Sequence, residues 1–351
     1  MTDGTTIQGQ IDNFGALLRY SFSNTCTNPG RNFYMSNCLR PKIAIIGTGY
    51  VGSTYAYSLM ISGLARDIVL LDKDEALARG VAMDLNHGLS FLQPTSIRAG
   101  NYESCEDADI VVITAGTNRK PGQSRTDLAH ENVEVYKSII PQIIQHAPNA
   151  VYLVVTNPVD VLTYVSLKLS GLPAGQVIGS GTVLDTARLK FTLGNYCKVD
   201  TANVHAYIIG EHGETELPVW SNARIGGMPI ENYCVENACI ENVAETLEQI
   251  FQSVKNSARE IIDAKGATNY SIALAMQKIT RSILRNENSI LPVSTLVNDF
   301  YGVNDVCISI PSHVTRQGVD KYLKIQLNQK EEHLFRHSAN TLREIIREVG
   351  F

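Results

Sequence analysis

No charge of one sign dominates this chain. Its 30 Lys and Arg against 35 Asp and Glu leave a net charge of -5 at neutral pH. That is too mild for the electrostatic footprint a nucleic-acid duplex or an anionic membrane surface requires, so neither is expected as a partner. Cysteine is sparse and shows no pairing pattern. Cys26, Cys38, Cys105, Cys197, Cys234, Cys239 and Cys307 are odd in number and scattered, with no C-x-x-C pair to hold zinc or run dithiol chemistry. They read as reduced thiols in a cytoplasmic protein, and no metal site is expected. Long apolar runs are also missing: none approaches the ~20 residues that cross a bilayer, and the N-terminus lacks the basic flank and apolar stretch of a secretory signal. The hydrophobic share of 44% and charged share of 19% exclude disordered and fibrous classes. A soluble globular protein acting on a small ligand remains.

A chain of 351 residues is too long for one small core and points to two lobes. Residues 1–40 are polar, rich in Asn, Ser, Thr and Gly, without helical or strand periodicity, and read as an extension; Met35 offers an alternative start. From Lys42 short β-branched runs alternate with helical patterns: Ile43 to Ile46, Ile68 to Leu71, Ile110 to Thr114 and Val151 to Val155. Parallel strands need a helix-length crossover, so this rhythm predicts a doubly wound parallel sheet. After about Ser180 it changes. A helix is expected over Asp185 to Leu193, a strand over Val204 to Ile209, and helices over Ala244 to Lys265 and Ser271 to Leu284. Strands follow near Ser289 to Val297 and Val306 to Ile310, then an amphipathic helix over Glu331 to Val349 with Leu334, Leu342 and Ile345 on one side.

Gly47-Thr48-Gly49-Tyr50-Val51-Gly52 directly follows the first strand and opens a helix, the context that gives G-x-G-x-x-G its meaning. Gly47 makes the tight turn, Gly49 lets backbone approach a pyrophosphate, and Gly52 permits close helix–strand packing. Asp72 ends the second strand about 20 residues after the last glycine, where its carboxylate can accept from a ribose 2′-OH and disfavours a 2′-phosphate. The implied cofactor is NAD rather than NADP. No P-loop or kinase catalytic-loop pattern is present.

Farther on, Asp185-Thr186-Ala187-Arg188 and Ile208-Ile209-Gly210-Glu211-His212-Gly213-Glu214-Thr215 resemble the signatures of the lactate/malate dehydrogenase family. So do Ala82-Met83-Asp84-Leu85-Asn86-His87-Gly88, Val155-Thr156-Asn157-Pro158-Val159-Asp160 and the loop from Ala115 to Arg125. The resemblance runs from about Lys42 to the C-terminus and is nearest to the bacterial lactate dehydrogenase branch. It implies a Rossmann-type nucleotide domain over 41–181, a C-terminal mixed α/β substrate domain over 182–351, and reversible hydride transfer between NADH and a small 2-oxo acid, pyruvate to L-lactate. His212 would donate and accept the proton, Asp185 would orient it, Arg188 would clamp the substrate carboxylate and Arg125 would polarise the ketone. Both side-chain types suit that chemistry, since imidazole titrates near neutrality and guanidinium binds a carboxylate through two hydrogen bonds at any working pH. The resemblance further places Asn157 and Thr268 at the substrate, and adds Val51, Tyr102, Gly116, Thr117, Ser138, Val155, Asn157 and Ser180 to the cofactor contacts. It implies a homotetramer, with Lys190 and His205 at an intersubunit site for the activator fructose 1,6-bisphosphate. Lys190 stands where the family has arginine, which keeps the charge and loses the bidentate fork.

Taken one at a time, the same residues have plainer readings. Asp185 and Arg188 sit three apart and suit a helix-surface ion pair worth ~0.2–0.5 kcal/mol; His212 suits a satisfied core histidine; Arg119, Lys120 and Arg125 suit a solvated loop. Arg119 also divides the family. Lactate dehydrogenases generally carry glutamine there and malate dehydrogenases arginine, whose charge would pair with the second carboxylate of oxaloacetate. The alternatives are therefore a malate dehydrogenase and, from another class, a non-catalytic NAD-binding sensor or structural protein.

Overall fold

The computed structural model describes residues 41–117, 122–238 and 240–351. The expected extension at 1–40 with Cys26, Met35 and Cys38, the loop residues Asn118, Arg119, Lys120 and Pro121, and Cys239 lie outside the described residues.

The short apolar runs of the first half become strands because each is followed by a stretch long enough for a crossover helix. In order they are β1 (Lys42–Ile46), α1 (Tyr50–Ser62), β2 (Asp67–Leu71), α2 (Glu75–His87), β3 (Ser96–Ala99), β4 (Ile110–Ile113), α3 (Arg125–His146), β5 (Val151–Val154), α4 (Val159–Ser170) and β6 (Val177–Gly179). These strands are all parallel and lie in the order β3-β2-β1-β4-β5-β6. The order reverses between β1 and β4, and such a switch point opens a crevice at the carboxyl ends of the strands.

The second half adds α5 (Val183–Cys197), β7 (Val204–His205), β8 (Ile208–Ile209), β9 (Leu217–Pro218), β10 (Arg224–Ile225), β11 (Met228–Pro229), α6 (Ile230–Glu236), α7 (Val243–Lys265) and α8 (Tyr270–Leu284). It closes with β12 (Ser289–Phe300), β13 (Val303–Thr315), β14 (Gly318–Tyr322) and α9 (Gln329–Glu348). β12, β13 and β14 continue the main sheet as an antiparallel extension on β6, where Ser294 pairs with Gly179. The described residues form one compact unit, an α/β fold whose sheet is parallel in its first half and mixed as a whole.

Side chains on a strand alternate between faces, and here both faces are covered. Ile43 and Ile45 join one core with Tyr55 and Leu59 of α1 and Met276 and Ile279 of α8. Ala44 and Ile46 join another with Tyr136 and Ile140 of α3, Val161 and Val165 of α4 and Phe335 and Leu342 of α9. A third cluster, with Leu189, Val204, Ile208 and Phe251, lies under α5 and α7. No helix among the described residues is long and apolar enough to cross a membrane.

Three expectations change. The single strand foreseen over Val204 to Ile209 is two pieces, because Val204–His205 pair with β10 and Ile208–Ile209 with β9. β13 runs well past Val306 to Ile310, since its pairing with β12 carries polar residues such as Asn304 and Ser312 into the ladder. In α9, Leu334 is exposed and Phe335 takes its place beside Leu342 and Ile345. At 100° per residue, eight steps from 334 to 342 leave an 80° offset, whereas seven steps from 335 return to within 20°.

Candidate active site

The nucleotide turn sits at the switch point. Gly47 has φ +102°, and a Cβ there would lie 2.6 Å from the backbone nitrogen of Ala115. A side chain at Gly52 would meet the Gly47 carbonyl at 2.0 Å, so the helix packs onto the turn only because both positions lack one. At Gly49 a Cβ would meet nothing within 4 Å, and Gly49 caps α1 without any side-chain hydrogen bond. Open space over an uncapped helix N-terminus is what a pyrophosphate needs. Asp72 Oδ2 accepts from the Thr48 backbone nitrogen at 2.7 Å and from Thr48 Oγ1 at 3.0 Å, bracing the turn and holding the carboxylate at its edge. These residues fit a dinucleotide.

Most of the remaining expected cofactor contacts follow the carboxyl ends of the parallel strands. Gly116 and Thr117 follow β4, and Val155 and Asn157 follow β5. Asn132, fully buried on α3, ties the two loops together: its Oδ1 accepts from the Thr117 backbone nitrogen at 2.7 Å, and its Nδ2 donates to the Asn157 carbonyl at 2.8 Å. Val51 is in the first turn of α1, Tyr102 opens a short turn after β3, and Ser180 is buried after β6. Ser138 is the outlier, on the exposed side of α3 with its hydroxyl turned back to the Val135 carbonyl. Asn132 escaped the sequence reading, although a polar residue between Leu128 and Tyr136 on the apolar stripe of α3 is a signal for it.

The Asp185–His212 pair is assembled by α5 and the loop between β8 and β9. Thr182 and Thr186 staple the start of α5 to β8: Thr182 Oγ1 donates to the Ile208 carbonyl at 2.6 Å, and Thr186 Oγ1 accepts from the Ile208 nitrogen at 2.9 Å. That fixes Asp185, in the first turn of the helix, against His212. Nδ1 of His212 lies 2.6 Å from Asp185 Oδ2, and the second oxygen takes Arg188 Nη1 at 2.9 Å. Asp160, fully buried on α4, accepts from the His212 backbone nitrogen at 2.7 Å and sets the loop's height. Burial pushes Asp160 up to about 6 against the pull of its hydrogen bonds. The Asp185–Arg188 ion pair does exist, but buried and shared with an imidazole, which removes the helix-surface reading.

Burial opposes the charges of both partners and loses. At His212 the Asp185 carboxylate and its hydrogen bond, with Glu216 and Asp160 behind, raise the imidazole to about 9. At Asp185 the charges of His212 and Arg188 hold the carboxyl below its ordinary value. The ring keeps 27% of its side-chain surface open, so it is not a sealed core histidine. With Nδ1 engaged, Nε2 is the nitrogen left for proton exchange.

Arg125 opens α3 behind a Ser124–Asp127 capping box. Its Nη2 donates to the His212 carbonyl at 3.1 Å, and Nη1 lies 2.7 Å from buried Glu211 Oε1 in an ionic contact without hydrogen-bond alignment. A Cβ at Gly213 would come within 1.8 Å of Nη2, so a larger residue there pushes the guanidinium aside. Thr268 is half-buried before α8, beside Asn269, which donates to Thr54 of α1 at 2.9 Å. Lys190 is on α5 over the Tyr207 ring, and His205 is on β7 opposite Arg224. Arg119 lies outside the described residues. Asp185, His212 and Glu216 come close together, but the charges of Arg188, Arg125 and Lys255 around them oppose a cation, and we assign them no metal.

The model of the lactate/malate dehydrogenase NAD binding domain matches residues 41–179, and that of the lactate/malate dehydrogenase alpha/beta C-terminal domain matches 182–350. The L-lactate dehydrogenase of Acetivibrio thermocellus is 51% identical over 312 residues, 89% of this chain and 98% of the relative. That of Geobacillus thermodenitrificans is 49% identical over 306 residues, 87% and 96% of the two chains. Among solved structures, a lactate dehydrogenase enzyme from a Medee basin deep-sea metagenome library superposes with TM-score 0.85 at 44% identity, covering 89% of this chain and 99% of that one. The minor L-lactate dehydrogenase of Enterococcus mundtii, in its ligands-bound form, gives 0.84 at 38% identity, covering 88% and 98%. Matched along nearly its whole described length by both halves of one family, the chain belongs to the lactate/malate dehydrogenase family.

Proposed function

We propose that the protein is an NAD-dependent L-lactate dehydrogenase that interconverts pyruvate and L-lactate. The observation that carries this reading is the Asp185 carboxylate, which holds His212 on one oxygen and Arg188 on the other. Residues 41–181 act as the nucleotide half and 182–351 as the substrate half, with 1–40 an extension outside the chemistry. Bound at the glycine turn, NADH supplies the hydride. Arg188 presents its remaining donors to the substrate carboxylate, and Asp185 fixes its guanidinium in place. Arg125 moves from the Glu211 and His212 contacts to the ketone oxygen, where its charge stabilises the developing alkoxide and its side chain excludes water. His212 gives the proton from Nε2 in reduction and takes it back in oxidation, while Asp185 keeps Nδ1 protonated. Asn157 and Thr268 close the substrate's surroundings. NADH oxidation by pyruvate tests the reading: His212→Gln should abolish it with the fold intact, and retained turnover would refute the assignment.

Arg119 favours a second reading, oxaloacetate to L-malate, because an arginine at this position of the family pattern would need a second substrate carboxylate as partner. Arg119→Gln should then trade oxaloacetate activity for pyruvate activity, and an unchanged ratio would sink this idea.

Other features belong to the same proposal. A homotetramer is supported by α1 and α8, which pack together and leave Tyr57, Ile61, Tyr270 and Leu274 exposed; sedimentation as a monomer at micromolar concentration would refute it. Fructose 1,6-bisphosphate is proposed to bind Lys190 and His205 and lower the apparent KM for pyruvate, an effect that Lys190→Ala should remove. The proposed compartment is the cytoplasm.

A further inference from the structure

Glu216 lies beside the reacting pair and has no part in the chemistry proposed above. It ends the loop between β8 and β9 and is only 8% exposed. One of its carboxylate oxygens lies within 4.8 Å of both a ring nitrogen of His212 and a carboxylate oxygen of Asp185. Only burial and through-space charges act on that carboxyl, which has no hydrogen-bond partner among the described residues. Charged groups face the cluster from every element packed around it. They are Asp185 and Arg188 of α5, Lys255 of α7, His212 and Glu211 of the same loop, Asp160 of α4 and Arg125 of α3.

A largely buried carboxyl without a protein hydrogen-bond partner is a costly anion. Burial and the like charge of Asp185 push Glu216 up to about 8, while His212, Lys255 and Arg188 pull the other way. The net effect favours the uncharged acid well beyond the usual carboxylate range. Once it ionises, its charge falls on an imidazole that Asp185 already favours as the cation.

We propose that Glu216 is a positioning residue for the proton of His212: its ionisation, acting across a gap of a few ångströms, holds that proton on the ring into the alkaline range and extends pyruvate reduction there. The proposal rests on the reading of His212 as the proton carrier. It differs from the Asp185–His212 contact in acting without a hydrogen bond and only above the pH at which Glu216 loses its own proton.

Glutamine matches the shape of the side chain and never carries the charge. Glu216→Gln should therefore lower the midpoint of His212 titration by roughly one pH unit. Below about pH 7 the two proteins should behave alike, because Glu216 is then neutral as well. The first readout needs no turnover: the His212 ring signal followed by NMR from pH 6 to 10 in the full chain without ligand, identified by its loss in His212→Gln. The second is kcat/KM for pyruvate over the same range.

The result expected is a downward move in both, with Glu216→Asp, which restores a charge, recovering part of it. An unchanged His212 midpoint in Glu216→Gln overturns the proposal. Should that variant fail to fold, the native chain decides, since coupling of two titrating neighbours gives the ring signal two inflections and a single one overturns it. If the NMR shift is found and the native chain turns over no pyruvate at any pH, the assigned reaction falls and the Glu216–His212 coupling stands.

Discussion

Replacing Asp185 with Asn keeps the side chain's shape and removes the charge on which His212 depends. An imidazole ordinarily titrates near 6.5; here burial pulls it down, the Asp185 charge and hydrogen bond push it up, and the outcome is about 9. At pH 8 a group titrating at 9 is about nine-tenths protonated and one titrating at the ordinary 6.5 about 3%, so the supply of imidazolium falls on the order of 30-fold, burial deepening the loss and the remaining charges of Glu216 and Asp160 limiting it. At pH 6 both are mostly protonated, and this part of the loss nearly vanishes. The sign follows from the direction of the shift: a raised histidine delivers its proton below its folded value and loses that ability as pH rises through it. Asp185 also accepts from Arg188 at 2.9 Å, so the substrate clamp loosens and the KM for pyruvate rises at every pH. The assay is steady-state NADH oxidation with pyruvate from pH 6 to about 9.5, with circular dichroism to establish folding. The native-to-variant ratio of kcat should grow as the pH rises, its alkaline limb moving from near 9 toward 6.5. A ratio constant across that range would refute the claim that Asp185 sets the proton affinity of His212.

Gly213→Ala places a methyl 1.8 Å from Arg125 Nη2 and expels the guanidinium from the His212 carbonyl. Because Arg125 leaves this contact to reach the ketone oxygen, we expect kcat to stay within about threefold of the native value with little change in melting temperature, and a fall of ~10-fold or more would show that Arg125 works from the His212 carbonyl instead. Asp72→Asn weakens the brace on Thr48 and the acceptor for a ribose hydroxyl; the KM for NADH should rise ~10-fold or more and the preference over NADPH should narrow, which initial rates with the two cofactors read directly. Phe335→Ala empties a fully buried site edge-on to Phe300 at 5.2 Å and should cost about 3–5 kcal/mol in urea unfolding. A loss below about 1 kcal/mol would mean that α9 is not part of the core.

The glycine turn was legible because its signal is local: strand, turn, helix and the acid at the end of the next strand all fall within one short stretch. The doubly wound half was legible for a related reason, since strands buried on both faces read as apolar runs. β3, β6 and β14 gave no such signal; β3 carries exposed Ser96 and Arg98, β6 is three residues long, and β14 is half polar. The halves of the Val204 to Ile209 run pair with strands that lie after it in sequence, and periodicity carries no record of a change of partner. His212, Asp185, Arg188 and Arg125 entered through family resemblance, and their spacing alone left plainer readings open. Asp160, Glu211 and Glu216 sit inside the family motifs or beside them, yet an acid in a sequence looks the same whether water or an imidazole surrounds it. Folding separates them: Asp160 under the His212 backbone, Glu211 against Arg125, and Glu216 next to the imidazole.

The most direct measurement is NADH oxidation by the purified full chain with pyruvate and with oxaloacetate, side by side at the same pH. Faster turnover of pyruvate, lost in His212→Gln, is the result expected of an L-lactate dehydrogenase built on the Asp185–His212–Arg188 unit. Faster turnover of oxaloacetate would contradict it and make Arg119 the residue that decides the substrate.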